Sequence, residues 1–267
     1  MRHMLGYYYT QGKTAIVVQF QYRVANYFYM IGMIAEPIIY LVVWTTVAES
    51  QGGSVGGYTT GEFAAYYIVW TLVRNMNIAL TPYAWEFMIQ QGHLSMDLLR
   101  PMHPFHVQLA YFSGWKIVVI VMWLPIAVIL SLIFKPTLQP TFWEVLIFGV
   151  ALWGGFLVRF VMLWLLGMIT FWTTRVGAFF ELYFTLELLF SGRLVPLSIM
   201  PEWAQSLANL MPFQWAFGFP IELLLGRLTL QQALWGLGAQ AFWILTGGLA
   251  SALVWRFALR RYSAVGA

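Results

Sequence analysis

The sequence predicts an all-α, polytopic membrane protein with one domain over residues 1–267, and its composition is the first reason. Hydrophobic residues make up 61% of the chain and charged residues only 9%, whereas soluble domains average about 45–50% and about 25%. Fourteen basic and ten acidic side chains are too few to solvate the outside of a water-soluble protein of this length. Lipid must therefore surround much of the chain.

Long apolar runs are the second reason. A helix needs about 20 mostly apolar residues to cross a bilayer, and such runs predict six transmembrane helices. The runs are continuous and do not alternate between polar and apolar residues, which disfavours a transmembrane β-barrel. The predicted spans cover residues 26–47, 62–83, 107–134, 143–171, 177–197 and 231–255.

Basic residues near the ends of these spans predict the orientation, because cytoplasmic loops carry an excess of Lys and Arg. One side of the membrane receives Arg2, Lys13, Arg23, Arg100, Arg175, Arg260 and Arg261. The other side receives little beyond Lys135 and Arg227. We therefore expect a multi-pass protein of the cell membrane (inner or plasma) with both termini in the cytoplasm. The scattered bases do not indicate a nucleic-acid partner.

Residues 1–25 precede the first span and are expected to form an amphipathic helix on the inner membrane surface. The apolar residues that recur at helical spacing over residues 14–27 are Ile16, Phe20, Val24 and Tyr27. A frayed N-terminal extension is the alternative interpretation.

No pattern indicates a catalytic residue, a metal site or a cofactor bound by this chain. Residues 6–14 look like a phosphate-binding loop, but five residues separate the two glycines where that motif has four. His103 and His106 lack a third metal ligand, and the chain has no cysteine. The connections between spans are too short to contain a nucleotide-binding domain, the longest covering residues 198–230.

The connection between the second and third spans, residues 86–101, predicts two helices separated by a break. The first helix should stop at Gly92, and a short second helix should end before Pro101. Ser95 or Asp97 could cap or charge the start of the second helix. A cytoplasmic surface would leave three leucines exposed unless a partner protein covers them: Leu94, Leu98 and Leu99.

The segment before the last span, residues 192–226, cannot form one continuous helix. Gly192 permits a break, and four prolines interrupt the remainder of the segment: Pro196, Pro201, Pro212 and Pro220. Non-helical backbone at membrane depth is tolerated only in contact with protein or a cavity. We therefore expect a re-entrant region that faces the bundle or a partner and carries an aromatic cluster of Trp203, Phe213 and Trp215. An ordinary extracellular hairpin is the alternative.

Charged residues inside the spans predict ion pairs, because each unpaired charge costs about 3 kcal/mol or more there. Glu36 and Arg74 reach similar depth near the midplane, and Arg159 and Glu187 share a depth closer to the cytoplasm. Either pair could line a transport route or only fix helix register. The charges expected near the inner interface, with no special function, are Lys116, Arg175 and Glu181.

Two segments resemble a known family. The pattern Ile89-x-x-Gly92-x-Leu94-x-x-x-Leu98-Leu99-Arg100-Pro101 is similar to the coupling helix of ATP-binding-cassette type-2 (ABC-2) permeases. Residues 192–226 resemble the short outer re-entrant helices of the same permeases, through Gly192, Pro196, Pro201, Trp203, Pro212 and Phe213. With six spans and an N-terminal surface helix, the resemblance covers nearly the whole chain.

The resemblance implies the permease subunit of an exporter that works by alternating access. Its partners would be a cytoplasmic ATPase subunit, which binds the ATP and Mg²⁺, a second permease chain of identical or related sequence, and membrane lipid. The residues expected to contact the ATPase are Ile89, Gly92, Leu94, Asp97, Leu98, Leu99, Arg100 and Pro101.

The expected substrate is hydrophobic or amphipathic and leaves the cytoplasm or the inner leaflet. Glu36 and an aromatic interior would suit a cationic aromatic compound, but a lipid or glycolipid fits equally well. A non-transporting membrane scaffold and an intramembrane enzyme are the alternative functions.

Overall fold

The computed structural model describes residues 2–173 and 176–262, and this part of the chain is almost entirely helical. The first six helices are α1 (Arg2–Gln21), α2 (Arg23–Ser50), α3 (Thr60–Met76), α4 (Pro82–Gln90), α5 (His93–Leu98) and α6 (Pro104–Phe134). The next six are α7 (Phe142–Gly167), α8 (Gly177–Phe190), α9 (Glu202–Asn209), α10 (Pro212–Ala216), α11 (Gly218–Leu224) and α12 (Leu230–Leu259). A two-residue antiparallel hairpin, β1 (Ser54–Val55) and β2 (Tyr58–Thr59), joins α2 to α3. Short 3-10 helices cover Met168–Phe171 and Leu197–Ile199.

Four helical segments of the described residues are long and apolar enough to cross a membrane: Arg23–Ser50, Pro104–Phe134, Phe142–Phe171 and Leu230–Leu259. The predicted all-α, multi-pass class is therefore confirmed. The second and fifth predicted spans are shorter as helices, because α3 has 17 residues and α8 has 14. At 1.5 Å per residue they rise about 26 and about 21 Å, less than the roughly 30 Å of a hydrocarbon core.

Local sequence explains both short helices. Asn77 ends α3, and the extended Thr81 then caps α4 by accepting a hydrogen bond from the Ala84 amide, with Pro82 at the first helical position. The predicted span 62–83 is thus interrupted over residues 77–81. Helix α8 ends at Phe190, and Gly192 lies two residues later in a left-handed conformation with φ of 84°.

Helix α3 lies at the centre of the bundle. Every residue from 63 to 73 is buried, among α2, α6 and the α10–α11 region. A second core at one end of the bundle surrounds Trp85, Phe160 and Trp164. Capping boxes fix the starts of three long helices, with the pairs Thr59–Glu62, Thr141–Glu144 and Thr229–Gln232.

Helix α1 includes residues 6–14, so the segment that looks like a phosphate-binding loop is helical. It packs closely against α6, because a Cβ added at Gly114 would lie 2.6 Å from the Cα of Gly12. The N-terminal segment is helical, but α1 ends at Gln21, so Val24 and Tyr27 belong to α2 and do not continue α1; Phe20, Val24 and Tyr27 are exposed. Its position on the inner membrane surface stays a prediction.

Candidate functional site

The segment α4–Gly92–α5 forms two helices joined at a sharp turn. Gly92 has φ of 72°, a left-handed conformation that a side chain would disfavour. The break therefore falls at the glycine that the sequence indicates. Ser95 does not cap α5, because its hydroxyl donates to the carbonyl of Gly92 at 2.6 Å and accepts no amide.

The leucines of this segment divide into two groups. Leu94 is fully buried in the same core as Trp85 and Met88. The expectation that Leu94 is exposed for a partner is therefore wrong, since this side of α5 faces α4. Leu98 and Leu99 are exposed to 38% and 88%.

Other side chains of this segment extend the exposed surface. Phe87 and Met96 are exposed large apolar residues on α4 and α5. We call these two with Leu98 and Leu99 the inner apolar patch. Asp97 forms an ion pair with Arg100 at 3.1 Å, while Ile89 packs against the buried core and Pro101 follows α5 at the surface.

Two histidines near this segment contact side chains of neighbouring helices. His93 stacks on Phe87 with ring centroids 4.5 Å apart, and His106 Nδ1 lies 2.8 Å from the Tyr8 hydroxyl of α1. Burial, with a smaller contribution from His106, lowers the pKa of His103 and favours its neutral form. In residues 2–173 and 176–262, no three His, Asp or Glu side chains are grouped to hold a metal ion.

Glu36 of α2 forms an ion pair with two arginines. Nη1 of Arg74 lies 2.7 Å from its carboxylate, as the similar depth of the two residues predicts. Nε and Nη2 of Arg193 donate to the same carboxylate at 2.7 and 2.6 Å. Sequence reasoning missed Arg193, although a charged residue within a predicted span is itself a signal for a partner.

Arg159 of α7 and Glu187 of α8 form a two-pronged ion pair. Nε and Nη2 of Arg159 donate to the carboxylate at 2.7 and 3.1 Å. The third nitrogen, Nη1, donates to the carbonyl of Asn77 at the end of α3. Arg159 therefore joins α8 to the interruption of the second predicted span.

Lys116 of α6, which the sequence predicts near the inner interface with no special function, is instead fully buried in the bundle. Its amine donates to the carbonyls of Asn75 (3.4 Å) and Ile78. It also lies 4.6 Å from the ring centre of Trp115 and 5.2 Å from that of Phe156. Lys116 thus satisfies backbone groups that the break in α3 exposes. Glu181 is exposed, and Arg175 lies outside the described residues.

The segment after α8 is broken into short pieces, as its prolines predict. Pro196 precedes the 3-10 turn, Pro201 precedes α9, and Pro212 begins α10. Hydroxyls of two buried tyrosines bind the break, Tyr66 donating to the carbonyl of Gly192 and Tyr67 to that of Leu194, both at 2.8 Å.

The aromatic cluster expected in this segment is not formed, because Phe213 and Trp215 lie in different parts of the core. Phe213 and Trp215 are buried, but Trp203 is largely exposed on α9. The reason is the direction of α9, which turns Ala204 and Ala208 inward and leaves Trp203 on the outer face. Helices α10 and α11 pack against α7, where a Cβ at Gly155 would lie 2.6 Å from the carbonyl oxygen of Ala216.

A comparison with known protein families gives a match over most of the chain. The sequence profile of a family described as ABC-2 family transporter protein matches residues 34–266. A search among curated proteins finds no match. The matched range includes the inner apolar patch, both interrupted helices and the segment before α12.

Proposed function

The chain belongs to the ABC-2 family of transporter proteins, and from this premise we propose that it is the permease subunit of an exporter driven by a separate ATPase. The chain would work with a second permease, identical or related, and the two would enclose the transport route. Closure of the ATPase on ATP would push α5 and tilt the spans, which would alternate access between the two sides of the membrane. ATP and Mg²⁺ would be held by the ATPase.

The single observation that supports coupling at α5 is the inner apolar patch. Leu99 is 88% exposed beside the exposed Leu98. Contiguous apolar side chains on a surface that contacts water indicate a protein interface. Leu94 packs in the same buried core as Trp85, so a push on the patch would be transmitted to that core.

The membrane topology that we propose has six crossings with both termini in the cytoplasm. Four crossings would be the long apolar helices. The other two would consist of α3 and α8 together with the irregular segments that follow them. Buried side chains bind the backbone of both breaks, through Lys116 and Arg159 at one and Tyr66 and Tyr67 at the other. This arrangement satisfies the condition for irregular backbone at membrane depth.

The test is purification of the full chain from its native membranes with its associated ATPase. Leu99→Asp places a charge in the proposed interface, so we expect ATP hydrolysis by the purified material to fall at least about tenfold. Membrane insertion should not change, because Leu99 makes no contribution to the core. Leu132→Ala, at an exposed position of α6, is the control for the loss of an exposed leucine outside the patch and should leave ATP hydrolysis unchanged.

Two results would contradict the proposal. Full ATP hydrolysis with the Leu99→Asp variant would exclude coupling through the patch. Absence of any ATPase from material purified with the unaltered chain would favour a non-transporting scaffold.

A further inference from the structure

The interrupted ends of α3 and α8 surround a small cavity with an excess of positive charge. Its volume is about 140 Å³, and its lining residues are Trp70, Arg74, Ile78, Arg159, Phe184, Glu187, Arg193 and Phe217. Glu36 binds two of the lining arginines. Three guanidinium groups therefore face two carboxylates, which leaves one net positive charge. We call this space the arginine cavity.

The walls of the arginine cavity hold the guanidinium groups against aromatic rings. Arg74 and Arg193 lie 5.2 and 5.8 Å from the ring centre of Trp70. Arg159 lies 5.7 Å from the ring centres of both Phe184 and Phe217. These contacts fix the positions of the donors in an apolar surrounding, where an electrostatic attraction is stronger than in water.

Arg193 has a donor directed to neither carboxylate. Its Nε and Nη2 bind Glu36, and a guanidinium has five N–H donors in all. Among the described residues, its Nη1 has no hydrogen-bond partner. The cluster also reaches the surface of the chain, because the side chains of Glu36 and Arg193 are 27% and 23% exposed.

These contacts reverse the electrostatics expected from the sequence. Glu36 alone would attract a cation, but two arginines neutralise it. An uncompensated positive charge in an apolar site is unfavourable and is offset by a bound anion. Guanidinium donors match the planar or tetrahedral oxygens of carboxylate and phosphate groups.

We infer that the arginine cavity binds the oxyanion headgroup of an anionic amphiphile, with room for one phosphate or carboxylate. A cavity of about 140 Å³ is below the roughly 300–1,000 Å³ of a site that encloses a whole drug-sized ligand. The apolar part of the molecule would therefore lie outside the cavity. This inference rests on the proposed function, since it names the chemical class of the substrate.

The test measures binding to the purified full chain in neutral detergent, without any ATPase. The probes are dihexanoyl phosphatidic acid, dihexanoyl phosphatidylcholine, inorganic phosphate and the lipophilic cation tetraphenylphosphonium. A ligand of the folded state raises the thermal unfolding temperature in a saturable way. We expect such a shift with phosphatidic acid and none with phosphatidylcholine or tetraphenylphosphonium.

Inorganic phosphate distinguishes the two sources of an oxyanion. A shift with phosphatidic acid alone identifies a lipid headgroup as the ligand. An equal shift with inorganic phosphate identifies a free oxyanion as the ligand and overturns the inference that the ligand is an amphiphile. If neither anion shifts the unfolding temperature, or if tetraphenylphosphonium does, the inference of an oxyanion site in the arginine cavity is overturned.

Two variants change the charge of the arginine cavity in opposite directions. Arg193→Gln should weaken phosphatidic acid binding by about tenfold or more, because it removes the charged donors. Glu36→Gln should tighten binding, because it releases donors of both arginines. Lys135→Gln, which removes an exposed charge outside the cavity, is the matched control and should not change binding.

If the two variants change the affinity for phosphatidic acid in opposite directions, loss of structure cannot be the cause. Loss of structure would lower the stability of both variants and would not tighten binding in either. Equal effects of Arg193→Gln and Glu36→Gln would overturn the inference. Failure of the arginine cavity to bind anions can also be distinguished from failure of the proposed function. Normal ATPase coupling without anion binding refutes only the arginine cavity, and anion binding without coupling refutes only the exporter mechanism.

Discussion

Helices α3 and α12 both begin at a capping box, but they have different surroundings. Residues 63–73 of α3 are all buried, and the helix ends at an interruption bound by charged side chains. Helix α12 runs for 30 residues and buries only one side. Its exposed side carries large apolar residues, namely Leu234, Trp235, Phe242, Leu245, Leu249, Leu253 and Phe257.

This difference shows where irregular structure is placed in the molecule. An interrupted helix leaves amides and carbonyls unpaired, which lipid cannot satisfy. In α3 the protein surrounds the break and supplies Lys116, Arg159 and the Asn77 side chain as hydrogen-bond donors. In α12 the uninterrupted helix satisfies its own backbone and can face lipid or a second permease chain.

Arg159→Met should have the largest effect on stability. The change leaves the Glu187 carboxylate buried without its partner and removes a donor from the Asn77 carbonyl. Breaking a buried ion pair in this way costs about 3–5 kcal/mol. The free energy of unfolding in mixed detergent micelles measures the loss.

Two control variants test whether the lost stability comes from the unpaired charge at the Arg159–Glu187 site. Replacing both Arg159 and Glu187 by Met should recover much of the lost stability, since no unpaired charge remains. Arg256→Met, at an exposed position in the last turn of α12, should change stability by less than about 0.5 kcal/mol. A comparable loss at Arg256 would contradict the contrast between the two helices.

Lys116→Met should have the next largest effect. It removes the amine that binds the carbonyls of Asn75 and Ile78, and an unsatisfied buried group costs about 1–3 kcal/mol. The same measurement applies, with the exposed Lys135→Met as the control. Unchanged stability of Lys116→Met would mean that the break does not depend on this lysine.

Two glycines of α12 provide a more local test. A Cβ at Gly236 would lie 2.1 Å from the ring of Phe219, whereas a Cβ at Gly238 would meet nothing within 4 Å. Gly236→Ala should therefore lower stability by about 1–3 kcal/mol. Gly238→Ala should be neutral or stabilise by up to about 1 kcal/mol, because alanine favours the helix. Equal effects would show that the two faces of α12 have the same surroundings.

The sequence predicts part of this architecture for clear physical reasons. Composition and long apolar runs indicate a helical membrane protein, Gly92 and Pro101 mark the limits of α5, and the prolines after Gly192 break the segment before α12. Depth along the spans is enough to predict the contact between Glu36 and Arg74.

Other features depend on contacts between helices that are distant in the sequence. A continuous span 62–83 would leave Lys116 at the inner interface, and its acceptors exist only where that span breaks. The burial of Leu94 is hidden from the sequence because a six-residue helix is too short to show which side faces the core. Pairing by depth matches each acid with one base and therefore misses Arg193.

The most direct test of coupling is cross-linking at Leu99 in native membranes. The chain has no cysteine, so Leu99→Cys and the control Leu132→Cys each introduce a single thiol. We predict that a maleimide–benzophenone reagent attached to Leu99→Cys joins it to an ATPase subunit on illumination, which needs no thiol on the partner, and that Leu132→Cys gives no such product. Reaction of Leu99→Cys with maleimide in the assembled complex, without a product that contains an ATPase, would contradict coupling through the inner apolar patch.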